Sequence, residues 1–392
     1  MSEPAPTNDS ITIDQLVNAP YPIYKKLRRE TPVLKVKALG RTLLTRAADT
    51  FAVKDNPELF SSNDPNTPMK RAFLAHTLMR KDGTDHRRER MAMAPSLSSK
   101  VVKQVWAPLY TRYAEEYVGK LPRGETVDLY KELCGPVAAR ILADMMGVPQ
   151  VADSTMQHWS QALIEGAGNF GWQPEPFAVS DKANEEMDAC FESRIETLQR
   201  EPDDSALSVM INAENPIPKS QIFSNIKIAI GGGINEPRDA LATVLYGLLT
   251  NADQLQQVKK DGLWKEAFEE AIRWVAPIQV SSRLVMTDTE IRGYHIPEGD
   301  TVMTIQASAN HDESLYHEPD RFNVFREKAP HQAFGNGPHH CMGTHSARNL
   351  TAQILLPMLF DRFPDMTLPE PDSVIWRGFG FRGPINLPVL LN

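Results

Sequence analysis

Apolar residues recur with the spacing of amphipathic helices along most of the chain. Two shorter segments differ, because residues 33–44 alternate apolar and polar side chains and residues 376–384 are interrupted by glycines. Each of these two segments predicts a β-hairpin. The helical spacing predicts helices over residues 22–29, 47–56, 153–168, 182–200, 221–250, 267–274 and 348–363. The pattern therefore indicates a mainly α protein with small β-sheets.

Composition narrows the class of protein. The chain has 392 residues, of which 41% are hydrophobic, so it is long enough to enclose a cofactor. Its net charge of −8 and its lack of a basic run argue against nucleic acid as a partner. Three cysteines give no disulfide framework, which favours a reducing, cytoplasmic location. Polar residues 1–14 predict neither a signal peptide nor a membrane anchor, and residues 1–18 are expected to be a loose N-terminal arm.

One short segment concentrates the chemistry. Residues 334–343 read Phe-Gly-Asn-Gly-Pro-His-His-Cys-Met-Gly, a tight glycine-rich loop around Cys341. Backbone N–H groups in such a loop can stabilise a thiolate, and a helix is predicted directly after it. A lone cysteine is more often a buried free thiol. The full spacing of glycines, histidine and cysteine is what argues for a functional thiolate here.

This loop resembles the haem-ligand loop of the cytochrome P-450 superfamily, Phe-Gly-x-Gly-x-His/Arg-x-Cys-x-Gly. The resemblance implies that Cys341 is the proximal ligand of the iron of haem b. It implies that the loop is completed by Phe334, Gly335, His339 and Gly343.

The resemblance also implies a cytochrome P-450 fold, with the haem between a long distal helix and the cysteine loop. Length alone would suggest two or three domains. The family instead implies one haem-thiolate domain over residues 19–392. A His-x-x-x-Arg pair in the family holds haem propionates, and here it is His86 and Arg90. A third propionate partner in the family corresponds to Arg283.

Residues 221–250 predict one long helix whose centre is unusual. Three glycines at 231–233 and Pro237 together cost several kcal/mol in a helix interior, as an order of magnitude. A phosphate-binding loop is the rival interpretation, but no Gly-Lys-Ser/Thr follows. On the family pattern this is the distal helix, Glu236 occupies the acid position, and Pro237 replaces the usual threonine. Because proline has no hydroxyl, we expect Glu236 and an ordered water to relay protons.

The family has a structural Glu-x-x-Arg pair, matched here by Glu270 and Arg273. We expect Arg321, in the sequence Pro-Asp-Arg-Phe, to be the third member. These residues would support the haem loop and have no part in the chemistry.

The resemblance implies oxygen insertion from O2 into a small apolar or aromatic substrate. Three local features resemble bacterial aromatic O-demethylases of guaiacol-like methoxyphenols: the Glu-Pro pair, Phe381 in Gly-Phe-Arg-Gly-Pro, and Phe73 before the His86 segment. Phe73 and Phe381 would hold a planar ring. The expected substrate-binding residues are Phe73, Phe170, Ile234, Val280, Phe379 and Phe381.

Other interpretations stay open at this point. Oxidation of a small alkyl ether or another compact apolar compound competes with O-demethylation. A peroxide-driven peroxygenase is a second alternative, although relatives of that kind place an arginine before the proline, where this chain has Glu236. A non-catalytic haem sensor is a third.

The sequence contains no flavin or iron–sulfur domain, so electrons from NAD(P)H are expected through a separate ferredoxin and ferredoxin reductase. Basic side chains near the cysteine loop would contact an acidic ferredoxin. The candidates are Arg87, Arg88, Lys100, Lys103 and Arg348.

Overall fold

Helices make up most of the computed structural model, which describes residues 2–392. The first ten helices are α1 (Ile13–Asn18), α2 (Pro20–Glu30), α3 (Ala47–Asp55), α4 (Pro68–Ala72), α5 (Gly83–Met93), α6 (Ser99–Val101), α7 (Ala107–Lys120), α8 (Gly135–Met146), α9 (Asp153–Ala167) and α10 (Pro174–Arg200). The others are α11 (Ala206–Ile211), α12 (Lys219–Leu249), α13 (Ala252–Asp261), α14 (Trp264–Trp274), α15 (Gln306–Ala309), α16 (Thr344–Arg348) and α17 (Leu356–Arg362). A π-helical segment, Asn349–Leu355, joins α16 to α17 as one continuous helical stretch after the cysteine.

Short strands form four small sheets. They are β1 (Glu3–Pro4), β2 (Thr7–Asn8), β3 (Val33–Val36), β4 (Arg41–Leu44), β5 (Phe60–Ser61), β6 (Glu125–Asp128), β7 (Val280–Val285), β8 (Thr289–Ile291), β9 (Tyr294–Ile296), β10 (Thr301–Ile305), β11 (Trp376–Arg377), β12 (Gly383–Pro384) and β13 (Pro388–Leu391). The largest sheet has the order β2-β3-β4-β10-β7-β5. β3 pairs antiparallel with β4, and β11 with β12, at the two predicted hairpins. The predicted mainly α class with small sheets is confirmed.

The N-terminal segment was expected to be a loose arm over residues 1–18, and the described part of it is ordered. β1 pairs in parallel with β9, and β2 with β3. α1 begins with a capping box in which Thr12 and Gln15 satisfy each other's backbone N–H groups. Leu16 is fully buried beside Tyr24. The polar composition did not indicate this packing, because two short strands and a single buried leucine are enough to hold the segment. Met1 lies outside the described residues.

The long helix α12 passes through the main hydrophobic core and packs against α8, α9 and α14. Its observed bounds agree with the predicted 221–250 to within two residues at the start and one at the end. Although α12 has 31 residues, neither it nor any other helix within residues 2–392 is long and apolar enough to cross a membrane.

Two of the three central glycines of α12, at positions 231–233, allow close approach by neighbouring side chains. A Cβ on Gly233 would lie 2.8 Å from Cδ1 of Leu142 on α8. A Cβ on Gly231 would lie 3.0 Å from Cζ of Phe73, which follows α4. The packing at both positions therefore explains why the helix tolerates residues of poor helix propensity.

The predicted Glu-x-x-Arg pair is present, but its third member was assigned wrongly. Arg273 donates two hydrogen bonds to the Glu270 carboxylate, at 2.7 and 2.8 Å. The second arginine on that carboxylate is Arg326, whose Nε lies 3.3 and 3.4 Å from its oxygens. Arg321 is instead exposed, pairs with Glu318 at 3.0 Å and contributes only its backbone carbonyl. The chain folds back between the two arginines, so the more distant one in sequence reaches the buried carboxylate.

Candidate active site

The loop around Cys341 is held by its own backbone. The Cys341 N–H donates to the Phe334 carbonyl at 2.9 Å, which closes the loop. Gly335 and Gly337 both have φ of 65°, a left-handed conformation that favours glycine. A Cβ on Gly337 would also lie 2.6 Å from the Lys54 carbonyl oxygen. The glycines of the motif therefore bring this loop tightly against α3.

The Cys341 thiol lies deep in the protein and yet is accessible. Burial raises its pKa, while hydrogen bonds from the Gly343 backbone and the Thr344 side chain lower it. Its side chain is nevertheless exposed. Together the two observations indicate that the sulfur borders an internal space enclosed by the protein.

The face of α12 around Glu236 borders the same cavity. Gly232 is exposed and Gly233, Glu236 and Pro237 are partly exposed, although most of their neighbours along the helix are buried. The Glu236 carboxylate further raises the pKa of the Cys341 thiol, so the two groups lie within electrostatic range of each other. The cysteine loop and the distal helix thus face each other across one cavity.

One oxygen of the Glu236 carboxyl group has no partner. Burial raises the pKa of this group to about 8, a hydrogen bond from its own backbone N–H opposes the rise, and Asp239 raises the pKa further while Arg238 lowers it. The Oε2 atom of Glu236 is buried and has no hydrogen-bond partner within residues 2–392. The next residue, Pro237, has no N–H to donate to the Gly233 carbonyl. The cavity face of α12 therefore carries a protonated acid and a free carbonyl.

Histidine side chains form a second feature at the edge of the site. The rings of His86 on α5 and His339 in the cysteine loop stack with centroids 4.0 Å apart. Burial, with contributions from His339 and Arg90, lowers the pKa of His86 to about 4, and its buried Nε2 has no partner within residues 2–392. His339 Nε2 lies 3.0 Å from Ser62 Oγ and 3.3 Å from Asp82 Oδ1. His86 thus has a ring nitrogen left free in the interior.

Two arginines lie in the same region without a bonded carboxylate, Arg283 buried and Arg80 partly exposed. Within residues 2–392, the Arg283 guanidinium donates one hydrogen bond, to the Ser282 carbonyl at 2.8 Å. Arg80 donates at 3.4 Å to the Ser62 carbonyl and at 3.3 Å to Thr67, and its buried Nε has no partner there. Desolvation lowers the pKa of both arginines, and repulsion by Arg80 lowers the pKa of Arg283 further.

These observations fit a haem. Two neighbouring guanidinium groups with unused donors, one of them buried, are stabilised by anions, and a haem supplies two propionates. An accessible sulfur in the interior suits ligation of its iron.

Comparisons with known proteins agree with this geometry. A cytochrome P450 family model matches residues 249–373. A putative cytochrome P450, YjiB of Bacillus subtilis, is 28% identical over 93% of this chain and 93% of its own. The 6-deoxyerythronolide B hydroxylase of Saccharopolyspora erythraea is 26% identical over 95% of this chain and 96% of its own.

A solved structure of P450BioI, in complex with an acyl carrier protein that carries hexadec-9Z-enoic acid, superposes with a TM-score of 0.87. It covers 97% of this chain and 99% of its own at 24% identity, and at that level the likeness concerns the fold. The chain belongs to the cytochrome P450 superfamily. It is a P450 monooxygenase, and membership implies a haem cofactor. None of the three relatives is named as an aromatic O-demethylase, so that narrower resemblance has only the local residues to support it.

Arg90 of this P450 lies nearer to the sulfur than the propionate prediction implies. Its guanidinium donates to the His340 backbone carbonyl, and the Cys341 sulfur raises its pKa against the effect of burial. Arg348, predicted as a ferredoxin contact, forms an ion pair with Glu269 beside the loop. Both arginines are therefore already engaged in supporting the cysteine loop.

The predicted substrate residues divide into two groups. Phe170 and Phe379 contact each other edge to face at 5.4 Å, and Phe381 lies 3.7 Å from where a Cβ on Gly168 would be. The loop after α9 and the C-terminal hairpin thus meet, with Phe170 and Phe381 partly exposed. The second group is buried, with Phe73 and Ile234 fully covered and Val280 8% exposed; Phe379 of the first group is also buried.

Arg80 is the residue that sequence reasoning missed. It precedes Asp82, whose carboxylate accepts hydrogen bonds from Ser61 at 2.6 Å and from the Ser62 N–H at 2.8 Å. Those hydrogen bonds and one from His339 keep the pKa of Asp82 well below its usual range, although burial opposes this. An arginine two residues before the Asp-x-x-x-His segment gives no periodic signal, and only the fold brings it beside Arg283.

Replacing Arg80 should weaken haem retention. Arg80→Gln removes a charged donor from the site of the propionates, and we expect haem loss to an apo-globin acceptor about tenfold faster or more. Arg80→Lys should restore part of the loss. Arg87→Gln, at an exposed position on α5, is the matched control. Equal haem loss from the Gln variants at both positions, with unchanged circular dichroism, would contradict the assignment.

Proposed function

We propose that residues 19–392 form one haem-thiolate domain that holds haem b through Cys341 and oxidises a small apolar or aromatic substrate. The observation that carries this proposal is an accessible Cys341 sulfur, deep in the protein, that lies within electrostatic range of Glu236 on α12. Phe334, Gly335 and Gly343 would shape the sulfur loop. His86, His339 and Arg283, with Arg80, would hold the propionates, and Arg90 would stay on the loop.

When bound, the haem activates O2 with two electrons, so that one oxygen atom enters a C–H bond and the other leaves as water. The Cys341 sulfur would be deprotonated by the metal. Arg90, which lies within electrostatic range of this sulfur, would stabilise its negative charge. The N–H of Gly343 and the Thr344 side chain would do the same at closer range.

Glu236 would supply protons from the distal side. With a pKa of about 8 its carboxyl group is protonated at neutral pH, and it would pass this proton to a water beside the partly exposed face of α12. The carbonyl of Gly233, left without its helical donor by Pro237, would hold that water. The pair of Glu236 and water would thus replace the threonine hydroxyl that is usual in this family.

Electrons would come from NAD(P)H through a ferredoxin and its reductase. Arg87, Arg88, Lys100 and Lys103 are exposed on the side of α5 and α6 and could contact an acidic carrier. Arg348 fits this role less well, because Glu269 already neutralises it.

For the substrate, we propose a methoxyaromatic that undergoes O-demethylation. Oxygen insertion at the methoxy carbon gives a hemiacetal, which collapses to a phenol and formaldehyde. The contacts that support an aromatic-lined site are those of Phe170, Phe379 and Phe381 near the end of α9. Phe73 would form the wall beside α12, because its ring is fully buried against Gly231.

A spectroscopic titration tests the substrate. Guaiacol added to the ferric holoprotein should shift the Soret band to the blue in a saturable manner, and turnover with ferredoxin and reductase should release one formaldehyde per guaiacol consumed. Phe381→Leu should weaken guaiacol binding about threefold to tenfold through loss of an aromatic contact. Phe325→Leu, at a phenylalanine 53% exposed on the surface, is the control. A shift with small alkyl ethers or fatty acids alone would exclude the methoxyaromatic.

The proton relay makes a separate prediction. The coupling of electron use to product should fall as pH rises through about 8, because Glu236 then loses the proton that it donates. Glu236→Gln should couple poorly at every pH, whereas Glu115→Gln, at an exposed position on α7, should behave like the parent. The measurement is product formed per NAD(P)H oxidised. Efficient coupling in Glu236→Gln across this pH range would refute the relay.

A further inference from the structure

Four helices meet around Phe73, and two glycines allow them to do so. A Cβ on Gly166 of α9 would lie 2.7 Å from the Ala72 Cβ, and one on Gly231 of α12 would lie 3.0 Å from the Phe73 ring. α10 closes the group, since Ser180 Oγ would be 3.1 Å from the same Cβ on Gly166. The short helix α4 and Phe73 are thus enclosed by α9, α10 and α12.

A buried amide ties α4 to α10. Asn184 on α10 is 1% exposed, and its Nδ2 donates to the Ala72 carbonyl at 2.8 Å and to the Ser180 carbonyl at 2.7 Å. The Ala72 carbonyl belongs to the peptide unit that joins Ala72 to Phe73. The hydrogen bond from Asn184 therefore fixes the orientation of the peptide from which the Phe73 side chain projects.

The backbone just after Phe73 shows that this segment needs to be held. Leu74 has φ of 47°, a left-handed conformation that leucine rarely adopts, and its side chain is 55% exposed. Its own packing therefore contributes little to holding the strained turn in place. Surrounding contacts must do so, and the bond from Asn184 is the buried one.

A second contact between α4 and α10 lies at the surface. Arg71 forms a bidentate ion pair with Asp181, and its guanidinium lies 5.1 Å from the centre of the Phe177 ring. The side chains of the pair are 39% and 33% exposed, so water screens the interaction. Loss of the buried Asn184 bond would instead leave the Ala72 carbonyl without its donor in the interior.

We propose that Asn184 is a positioning residue, which holds Phe73 against Gly231 and so sets the width of the substrate space beside the distal helix. The inference rests on the proposed function, in which Phe73 forms a wall of that space. Asn184 itself touches neither substrate nor haem in this scheme, and it acts through the peptide between Ala72 and Phe73.

A double-mutant cycle on the holoprotein tests this. The probe is 4-phenylimidazole, whose imidazole nitrogen binds ferric iron and whose phenyl group extends into the substrate space; imidazole alone reports on the iron. We expect Asn184→Leu to change the dissociation constant of 4-phenylimidazole about fivefold, and less than about twofold when Phe73 is already alanine. Imidazole binding should not change in either background.

Asn212→Leu is the matched control. Asn212 makes the same kind of bonds, from Nδ2 to the Leu198 and Ser208 carbonyls at 2.9 Å each, at an exposed position just after α11. Asn184→Ala, which removes the same donor without adding bulk or charge, guards against a defect caused by the leucine side chain. It should reproduce the effect of Asn184→Leu with full haem content.

Three results would overturn the inference. One is a change in the dissociation constant of 4-phenylimidazole by Asn184→Leu that is as large in the Phe73→Ala background as in the parent. Another is a change by Asn184→Leu no larger than the change by Asn212→Leu. The third is a Phe73→Ala variant that binds 4-phenylimidazole like the parent. A failure of guaiacol to shift the spectrum would reject the proposed substrate and leave the cycle intact, because the azole probes do not depend on it.

Discussion

Two acidic groups that border one buried cavity constrain the rest of this structure. Burial raises the pKa of both the Cys341 thiol and the Glu236 carboxyl, and each carries a proton in the protein alone. A metal cation bound by Cys341 would deprotonate the thiol, because a coordinated thiol loses its proton. The carboxyl group of Glu236 would keep its proton. The same cavity thus offers an anionic ligand on one side and a proton donor on the other.

The surrounding cations complete this electrostatic arrangement. Arg283 is buried, the partly exposed Arg80 repels it, and neither has a carboxylate bonded to it within residues 2–392. Two neighbouring cations without anions raise the free energy of the protein. A dianionic cofactor removes this cost when it binds, so the site favours the bound state. The ion pairs of the scaffold differ, since Glu270 is saturated by Arg273 and Arg326. Glu270, Arg273 and Arg326 thus neutralise one another within the scaffold. Arg80 and Arg283 remain available for the propionates of a haem.

Sequence reasoning succeeded where the signal is local. The 3.6-residue period located α12 to within two residues, and the spacing of glycines around Cys341 identified the loop. It failed where contacts depend on how the chain folds back. Arg326 and not Arg321 reaches Glu270, and Arg80 lies beside Arg283 although 203 positions separate them in sequence. No periodicity encodes such neighbours.

The central claim is that Cys341 ligates a haem iron, and the absorption spectrum of the reduced carbon monoxide complex tests it most directly. The parent protein should show the strongly red-shifted Soret band of thiolate-ligated haem. Cys341→His should retain haem and show instead the band of imidazole-ligated haem, because the proximal ligand has changed. A thiolate-type band that persists in Cys341→His would contradict the account, since another residue would then hold the iron.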